Sequence, residues 1–345
     1  MPLGKIAFLG SGETSLAGGR VFEQLARQID APLRIALLET PAGFELNSPQ
    51  VVGRVADFLR TRLQNFSPQI EIVAARKKGG DFSPDSPEIC APLLRANIIF
   101  MGPGSPTYAI RQLAGSLAWE IVRARQRMGA TLVFASAATV AVGSYAIPVY
   151  EIYKVGLDVH TVPGLDFFAD FGIPLSFIPH WNNTDGGADV DTSRCFLGME
   201  RFAEWCNLLP GHHTTLGLDE HTGLIMDFEQ NQARVAGVSS VSLVRECNPE
   251  IYPAGTVFPL DEIGPLSLPD PSHGIPPSVW ELVTTPPPAP VMEETAPPEA
   301  VRLADERQAA RERKDWTAAD EYRRQIGELG WSVQDTPEGS KLTKS

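Results

Sequence analysis

Five apolar runs, separated by turn-forming residues and by segments with helical spacing, constrain this chain more than any other feature. They cover Lys5 to Gly10, Leu33 to Glu39, Ile70 to Ala75, Asn97 to Met101 and Ala130 to Ala135. Between them, Val21, Phe22, Leu25 and Ile29, then Val51, Val55, Phe58, Leu59 and Leu63, recur at helical spacing, and a long helix is expected from Thr107 to Gln126. Buried parallel strands read as continuous apolar runs because both of their faces are covered. Strand and helix in this cadence predict an α/β fold, a parallel sheet with helices on both sides. Ligands of such sheets bind beyond the carboxyl ends of the strands, where the turns at Gly12, Gly104 and Ser136 fall.

Ser136 ends the last of these runs in Phe134-Ala-Ser-Ala-Ala138 and leads into small, helix-tolerant residues. A sharp strand-to-helix turn is the geometry of a nucleophile elbow, although Phe134 and Ala138 replace the glycines of G-x-S-x-G. A packed junction without chemistry has the same pattern, so the serine needs partners. His180 follows the apolar strand Ile173 to Pro179 and is flanked by Asn182, Asn183 and Asp185, a position suited to a general base. A structural histidine is the alternative. Gly104, in Gly102-Pro-Gly-Ser-Pro106, and Ala137 carry backbone N–H groups that could bind an oxyanion, whereas Pro103 has none to donate. A Pro/Gly turn that merely closes a strand is the competing reading there. Gly10-Ser-Gly-Glu-Thr14 invites comparison with a phosphate loop, but it lacks G-x-G-x-x-G and the Lys-Ser/Thr pair.

Further along, Ser193 to Cys206 reads as a helix with Phe196, Met199 and Phe202 inward, and His212 and His213 read as solvated turn residues. Thr214 to Glu220, Thr222 to Phe228, Ala233 to Gly237 and Ser239 to Arg245 predict a terminal β-meander. The 345 residues suit two domains, or one large domain with an appendage. No window approaches the roughly 18 unbroken apolar residues of a membrane span, and the N-terminus lacks signal-peptide regions, so no membrane partner is expected. Cys90, Cys195, Cys206 and Cys247 share no C-x-x-C spacing. They read as reduced thiols of a cytoplasmic protein, with no metal and no cofactor implied. A net charge of −13 argues against a sequence-independent grip on nucleic acid.

Four blocks together resemble the dipeptidase E and cyanophycinase family of serine peptidases: Ile98-Ile-Phe-Met-Gly-Pro-Gly104, Phe134-Ala-Ser-Ala-Ala138, Ile178-Pro-His-Trp181 and Leu216-Gly-Leu-Asp-Glu-His-Thr-Gly223. The resemblance covers roughly residues 5 to 245. It implies a class I glutamine amidotransferase-like domain over 1–263, a flavodoxin-like three-layer sandwich. It also implies Ser136 as nucleophile, His180 as base, and Gly104 and Ala137 as the oxyanion hole. For the third triad member, the dipeptidase spacing favours Glu151, and the late strand of cyanophycinases offers Glu220. A carboxylate is needed there to fix the histidine tautomer. Family members cleave aspartyl dipeptides or β-aspartyl-arginine polymers, so the expected substrate is a small peptide or amide. Asn182, Asn183 and Arg194 are candidate substrate contacts; Arg194 or Arg201 could hold a substrate carboxylate bidentately, with a helix-face ion pair the competing reading for either. Homo-oligomerisation is left open.

Residues 264–298 hold eleven of the 30 prolines and read as a stiff linker, with Trp280 and Leu282 able to dock one turn on the body. Beyond it, Glu299 to Lys314 and Thr317 to Leu329 predict a helical hairpin closed by Gly330, and Trp331 to Val333 and Lys341 to Thr343 a strand pair around Asp335-Thr-Pro-Glu-Gly339. This module, 299–345, resembles the C-terminal piece of cysteinyl-tRNA synthetases through Ala309-Ala-Arg-Glu-Arg-Lys-Asp-Trp-Thr-Ala-Ala-Asp320 and Asp335 to Gly339. In the synthetases that piece helps engage the anticodon end of tRNA. From residue 301 onward nine basic residues meet nine acidic ones, no electrostatic footprint for RNA, so an RNA partner, a protein partner and a structural role all stay open. Two functions compete: a serine hydrolase working through a Ser-His-Glu triad, and a non-catalytic ligand- or tRNA-associated protein that uses the terminal module for recognition.

Overall fold

The computed structural model describes residues 2–285, 297–336 and 339–344. The 286–296 part of the expected linker and residues 337–338 of the terminal turn lie outside the described residues. Contacts divide the chain into one unit of Met1–Pro286 and another of Pro287–Ser345.

The five expected runs form β1 (Ile6–Leu9), β2 (Arg34–Leu38), β3 (Gln69–Val73), β4 (Ile98–Met101) and β5 (Thr131–Ala135). They are mutually parallel. Period-two alternation between two covered faces explains why β1, β2, β4 and β5 are almost wholly apolar, whereas the edge strand β3 carries Gln69 and Glu71. Ile6, Phe8, Ala36, Leu38, Ile99, Met101, Leu132 and Phe134 enter one core, and Ala7, Leu9, Ile35, Leu37, Ile98, Phe100, Val133 and Ala135 the other. Helices α1 (Leu16–Ala26) and α2 (Ser48–Arg62) cover the second core with Val21, Phe22, Leu25, Val52, Val55 and Leu59. The short α3 (Pro87–Cys90) follows β3.

The single helix expected from Thr107 to Gln126 is two, α4 (Pro106–Leu113) and α5 (Leu117–Arg127). Gly115 between them takes φ +66°, and the Ser116 hydroxyl accepts from Trp119 N at 3.2 Å to start the second. Trp119, Ile121 and Val122 of α5 then fill the first core. Helix α6 (Ala137–Ala141) follows β5 directly, and a small pair, β6 (Tyr145–Ala146) with β7 (Val162–Pro163), brackets α7 (Val149–Tyr153).

The meander divides in two. After β8 (Leu175–Ile178), α8 (Gly198–Asn207) and β9 (Thr214–Leu218), strands β10 (Thr222–Asp227), β11 (Gln232–Gly237) and β14 (Val257–Pro259) extend the large sheet. The order there is β14-β11-β10-β1-β5-β4-β2-β3. β12 (Ser240–Arg245) and β13 (Asn248–Pro253) join β9 and β8 in a second sheet, β13-β12-β9-β8. Leu216, Leu218, Val241 and Leu243 of that sheet enter the core of Ile6 and Phe8, while Ile178 and Val244 join Phe202 and Trp205 of α8 in a third cluster.

Two local expectations fail. The stretch Arg194-Cys195-Phe196 is left-handed, with φ of 57°, 58° and 66°, so α8 starts only at Gly198. His213 is 4 % exposed rather than solvated, its ring edge-on to Tyr145. Residues 264–285, read as linker, pack on the body: Ile275, Val279 and Val283 are buried in the first core, the latter two on α9 (Pro277–Thr284), with Trp280 and Leu282 half-buried against it.

In the second unit, α10 (Pro298–Glu312) and α11 (Trp316–Glu328) pack through Ala300, Leu303, Ala304 and Ile326. Gly330 takes φ +78° after α11. β15 (Trp331–Thr336) and β16 (Gly339–Lys344) then pair antiparallel, placing Val333 opposite Leu342. Among the described residues no helix is long and apolar enough to cross a membrane.

Candidate active site

Backbone geometry brings three distant segments to the carboxyl edge of β1. Leu9 O accepts from Ser136 N, and Gly10 O accepts from His180 N, both at 3.2 Å. Gly10 N in turn donates to Thr222 O at 2.9 Å. A side chain on Gly10 would meet Asp219 O at 2.2 Å, so the glycine lets the late strand pass. The glycine-rich turn after β1 therefore supports this site through its main chain.

Ser136 lies at φ 51°, ψ −116°, and His180 at φ 50°, conformations uncommon outside glycine. Such strain is sustained only where surrounding structure over-determines it. Ser136 Oγ is 3.0 Å from His180 Nε2, and His180 Nδ1 is 2.8 Å from Glu220 Oε1. With Nδ1–H donating to the carboxylate, Nε2 is left to accept the serine hydroxyl proton. Asn183, 2 % exposed, donates from Nδ2 to the same Glu220 oxygen at 2.9 Å, and Asn182 Oδ1 accepts from Glu220 N at 2.8 Å. Burial raises the Glu220 carboxyl pKa, but the hydrogen bonds from His180 and Asn183 outweigh it and hold the group below its ordinary value.

Glu151, favoured by spacing, is not at the histidine. It sits on α7, where its Oε1 accepts from Thr107 Oγ1 at 2.7 Å, and it faces a different cavity with Arg111 and Tyr108. Parallel pairing of β8 with β9, with Ile178 opposite Gly217, selects the late strand instead. Asp219 turns the other way and accepts from Ser239 and Ser240.

Gly104 and Ala137 both line the Ser136 cavity. Gly104 takes φ +144°, and a Cβ there would meet Pro41 O at 2.0 Å, which makes glycine obligatory. Pro103 lines a separate small hollow with Leu38 and Phe100. Ala138 is fully buried, its N–H donating to Gly102 O at 3.3 Å, so its methyl is accommodated.

None of the three expected substrate contacts lines the cavity. Asn182 and Asn183 hold Glu220. The Arg194 guanidinium donates to Trp181 O at 2.7 Å and lies 3.9 Å above the Trp181 ring. The ≈ 460 Å³ cavity is walled instead by Val140, Val149, Tyr150, Tyr153 and Phe196, with Lys154 and Asp185 at its polar positions. Tyr150 and Tyr153 share one face of α7, an i, i+3 signal present in the sequence. Phe196 owes its place to the left-handed turn, which spacing did not suggest.

Residues 294–340 match the family model of the cysteinyl-tRNA ligase anticodon binding domain. Over 52 residues the chain is 52% identical to the cysteine–tRNA ligase of Methanosarcina mazei, covering 15% of this chain and 11% of that protein. Over 48 residues it is 46% identical to that of Chlamydia abortus, covering 14% and 10%. The chain thus spans about a tenth of the length of the curated relatives it matches. The remainder is similar in fold to the crystal structure of a peptidase from an acI-B1 Actinobacterium, with TM-score 0.60 and 18% identity, covering 75% of this chain and 97% of that one.

Proposed function

We propose that this chain is a serine hydrolase that cleaves a peptide or amide bond through an acyl-enzyme. The observation that carries the reading is the continuous Ser136–His180–Glu220 relay, with contacts of 3.0 and 2.8 Å. Ser136 Oγ attacks the carbonyl carbon as His180 Nε2 takes its proton. Glu220 keeps the ring in the required tautomer and offsets the imidazolium charge. The N–H groups of Gly104 and Ala137 receive the oxyanion. His180 then protonates the departing amine, and water attacks the ester by the reverse proton path. A cavity of ≈ 460 Å³ with mostly apolar walls suits a short peptide, aspartyl or otherwise. Free cysteines are in keeping with a cytoplasmic setting for the reaction.

A fluorophosphonate probe should label the protein at Ser136 and leave Ser136→Ala unlabelled. Failure of a folded wild-type chain to react would remove the hydrolase reading.

The match over residues 294–340 favours a second role beside the first, recognition of structured RNA by the terminal module. Full-length protein should then shift a tRNA transcript in a salt-dependent manner, and a chain ending at residue 286 should not. Equal retention by both chains would count against it.

A further inference from the structure

Away from Ser136, the end of α8 and the β12–β13 hairpin enclose a second cavity of ≈ 320 Å³, lined by Cys206, His213, Thr215, Val244, Glu246 and Cys247 among others. Cys206 and Cys247 are free and half-buried, unlike the buried Cys90 and Cys195, and both line this one cavity, where Cys247 is among the groups that raise the Cys206 thiol pKa. Glu246 and Cys247 form the hairpin turn at φ 48° and 62°. Two positive φ values in a two-residue hairpin favour Asn-Gly or Gly-Gly, so cysteine occupies this turn against local backbone preference. It nevertheless lines the same cavity as Cys206, 41 positions earlier in the chain. The His213 ring, 4 % exposed, lines the same cavity, and neither of its nitrogens has a hydrogen-bond partner among the described residues. The space therefore combines two adjacent thiols with unspent polar capacity. Among the described residues no three His, Cys, Asp or Glu side chains meet in metal-ligating geometry.

We propose that Cys206 and Cys247 are a dithiol–disulfide pair, oxidised by a small-molecule disulfide of the glutathione class admitted to this cavity. The Cys247 thiolate attacks one sulfur of that disulfide, forms a mixed disulfide and releases one small thiolate. Cys206 gives up its proton and attacks the Cys247 sulfur, closing the protein bond and releasing the second. Two protein thiols lose two electrons and two protons, and the small disulfide gains them as two thiols. Burial raises the Cys206 pKa, which makes it the poorer attacking group and the exchange faster in mildly alkaline solution. The bond ties α8 to the hairpin, and α8 carries Phe202, whose ring lies 5.0 Å from that of Trp181, the neighbour of His180.

The test is to equilibrate the full chain in mildly alkaline buffers of increasing oxidised-to-reduced glutathione ratio, quench with acid, alkylate and map the peptides by mass spectrometry. The expected result is a Cys206–Cys247 cross-link with loss of two hydrogens, reversed by dithiothreitol, and a melting midpoint higher in the oxidised form. Cys247→Ser should show neither the cross-link nor the shift in midpoint. Alkylation of both thiols at the most oxidising ratio would overturn the proposal. So would stable glutathione adducts without the cross-link.

Discussion

At the scale of single residues, the choice between two carboxylates decides what can be asked of Ser136. Glu220 accepts from His180 and Asn183, while Glu151 accepts from Thr107. Glu220→Gln should slow fluorophosphonate labelling by ~10²–10⁴-fold, the range expected when a triad histidine loses its orienting carboxylate, and Glu151→Gln should leave the rate unchanged. Equal effects of the two variants would contradict the assignment. Because the folded Glu220 pKa lies below its ordinary 4.5, its stabilisation is present above that value and lost as pH falls through the lowered one. His213 gives a second pH dependence. Burial, aided by the charge of His212, lowers it from 6.5 to about 4. The folded state then binds fewer protons than the unfolded one between those values, so stability falls as pH falls through that window, by on the order of 3 kcal/mol in all. Urea midpoints at neutral and acid pH should record this loss, and His213→Asn should flatten it.

At the scale of elements, short connections impose the unusual backbone that the site needs. Gly104→Ala would force a methyl within 2.0 Å of Pro41 O at φ +144°. A cost above ~2 kcal/mol and loss of labelling are expected, read by denaturant titration and probe kinetics. The wall of the cavity depends on the left-handed Arg194–Phe196 turn. Asp191 secures it, accepting from Ser193 N at 2.9 Å and from Met199 N, in the first turn of α8, at 2.8 Å. Asp191→Ala should cost about 1 kcal/mol, in the manner of a lost helix cap, and should change the labelling rate because Phe196 lines the cavity beside His180.

At the scale of the whole molecule, two units fold around separate cores. One holds the serine site, and the other its own cluster of Ala300, Leu303, Ala304, Ile326, Trp331 and Val333. A chain ending at residue 286 should therefore keep its melting midpoint and its Ser136 labelling, measured by calorimetry and probe gel. A chain ending at 263 should lose stability, because it removes Ile275, Val279 and Val283 from the main core. Truncating several buried apolar side chains together costs well above ~3 kcal/mol.

The amino-acid pattern alone determined the parallel sheet, the helices on both of its faces and the edge at which Ser136 and Gly104 lie. These depend on period and local turn chemistry, which neighbouring residues report. It also located His180 at a strand end and marked out the terminal helical hairpin. The break at Gly115 lies in local sequence too, as a glycine able to turn left-handed followed by Ser116, a residue type suited to an N-cap. What only the tertiary structure decided was pairing between distant segments. Register between β8 and β9 placed Glu220 rather than Glu151 at the imidazole, and gave Asn182 and Asn183 to that carboxylate rather than to substrate. Packing against the body drew residues 264–285 out of the linker their prolines suggested. Linear spacing carries no information about which strands become neighbours, and in this chain strand neighbours decide which carboxylate meets His180.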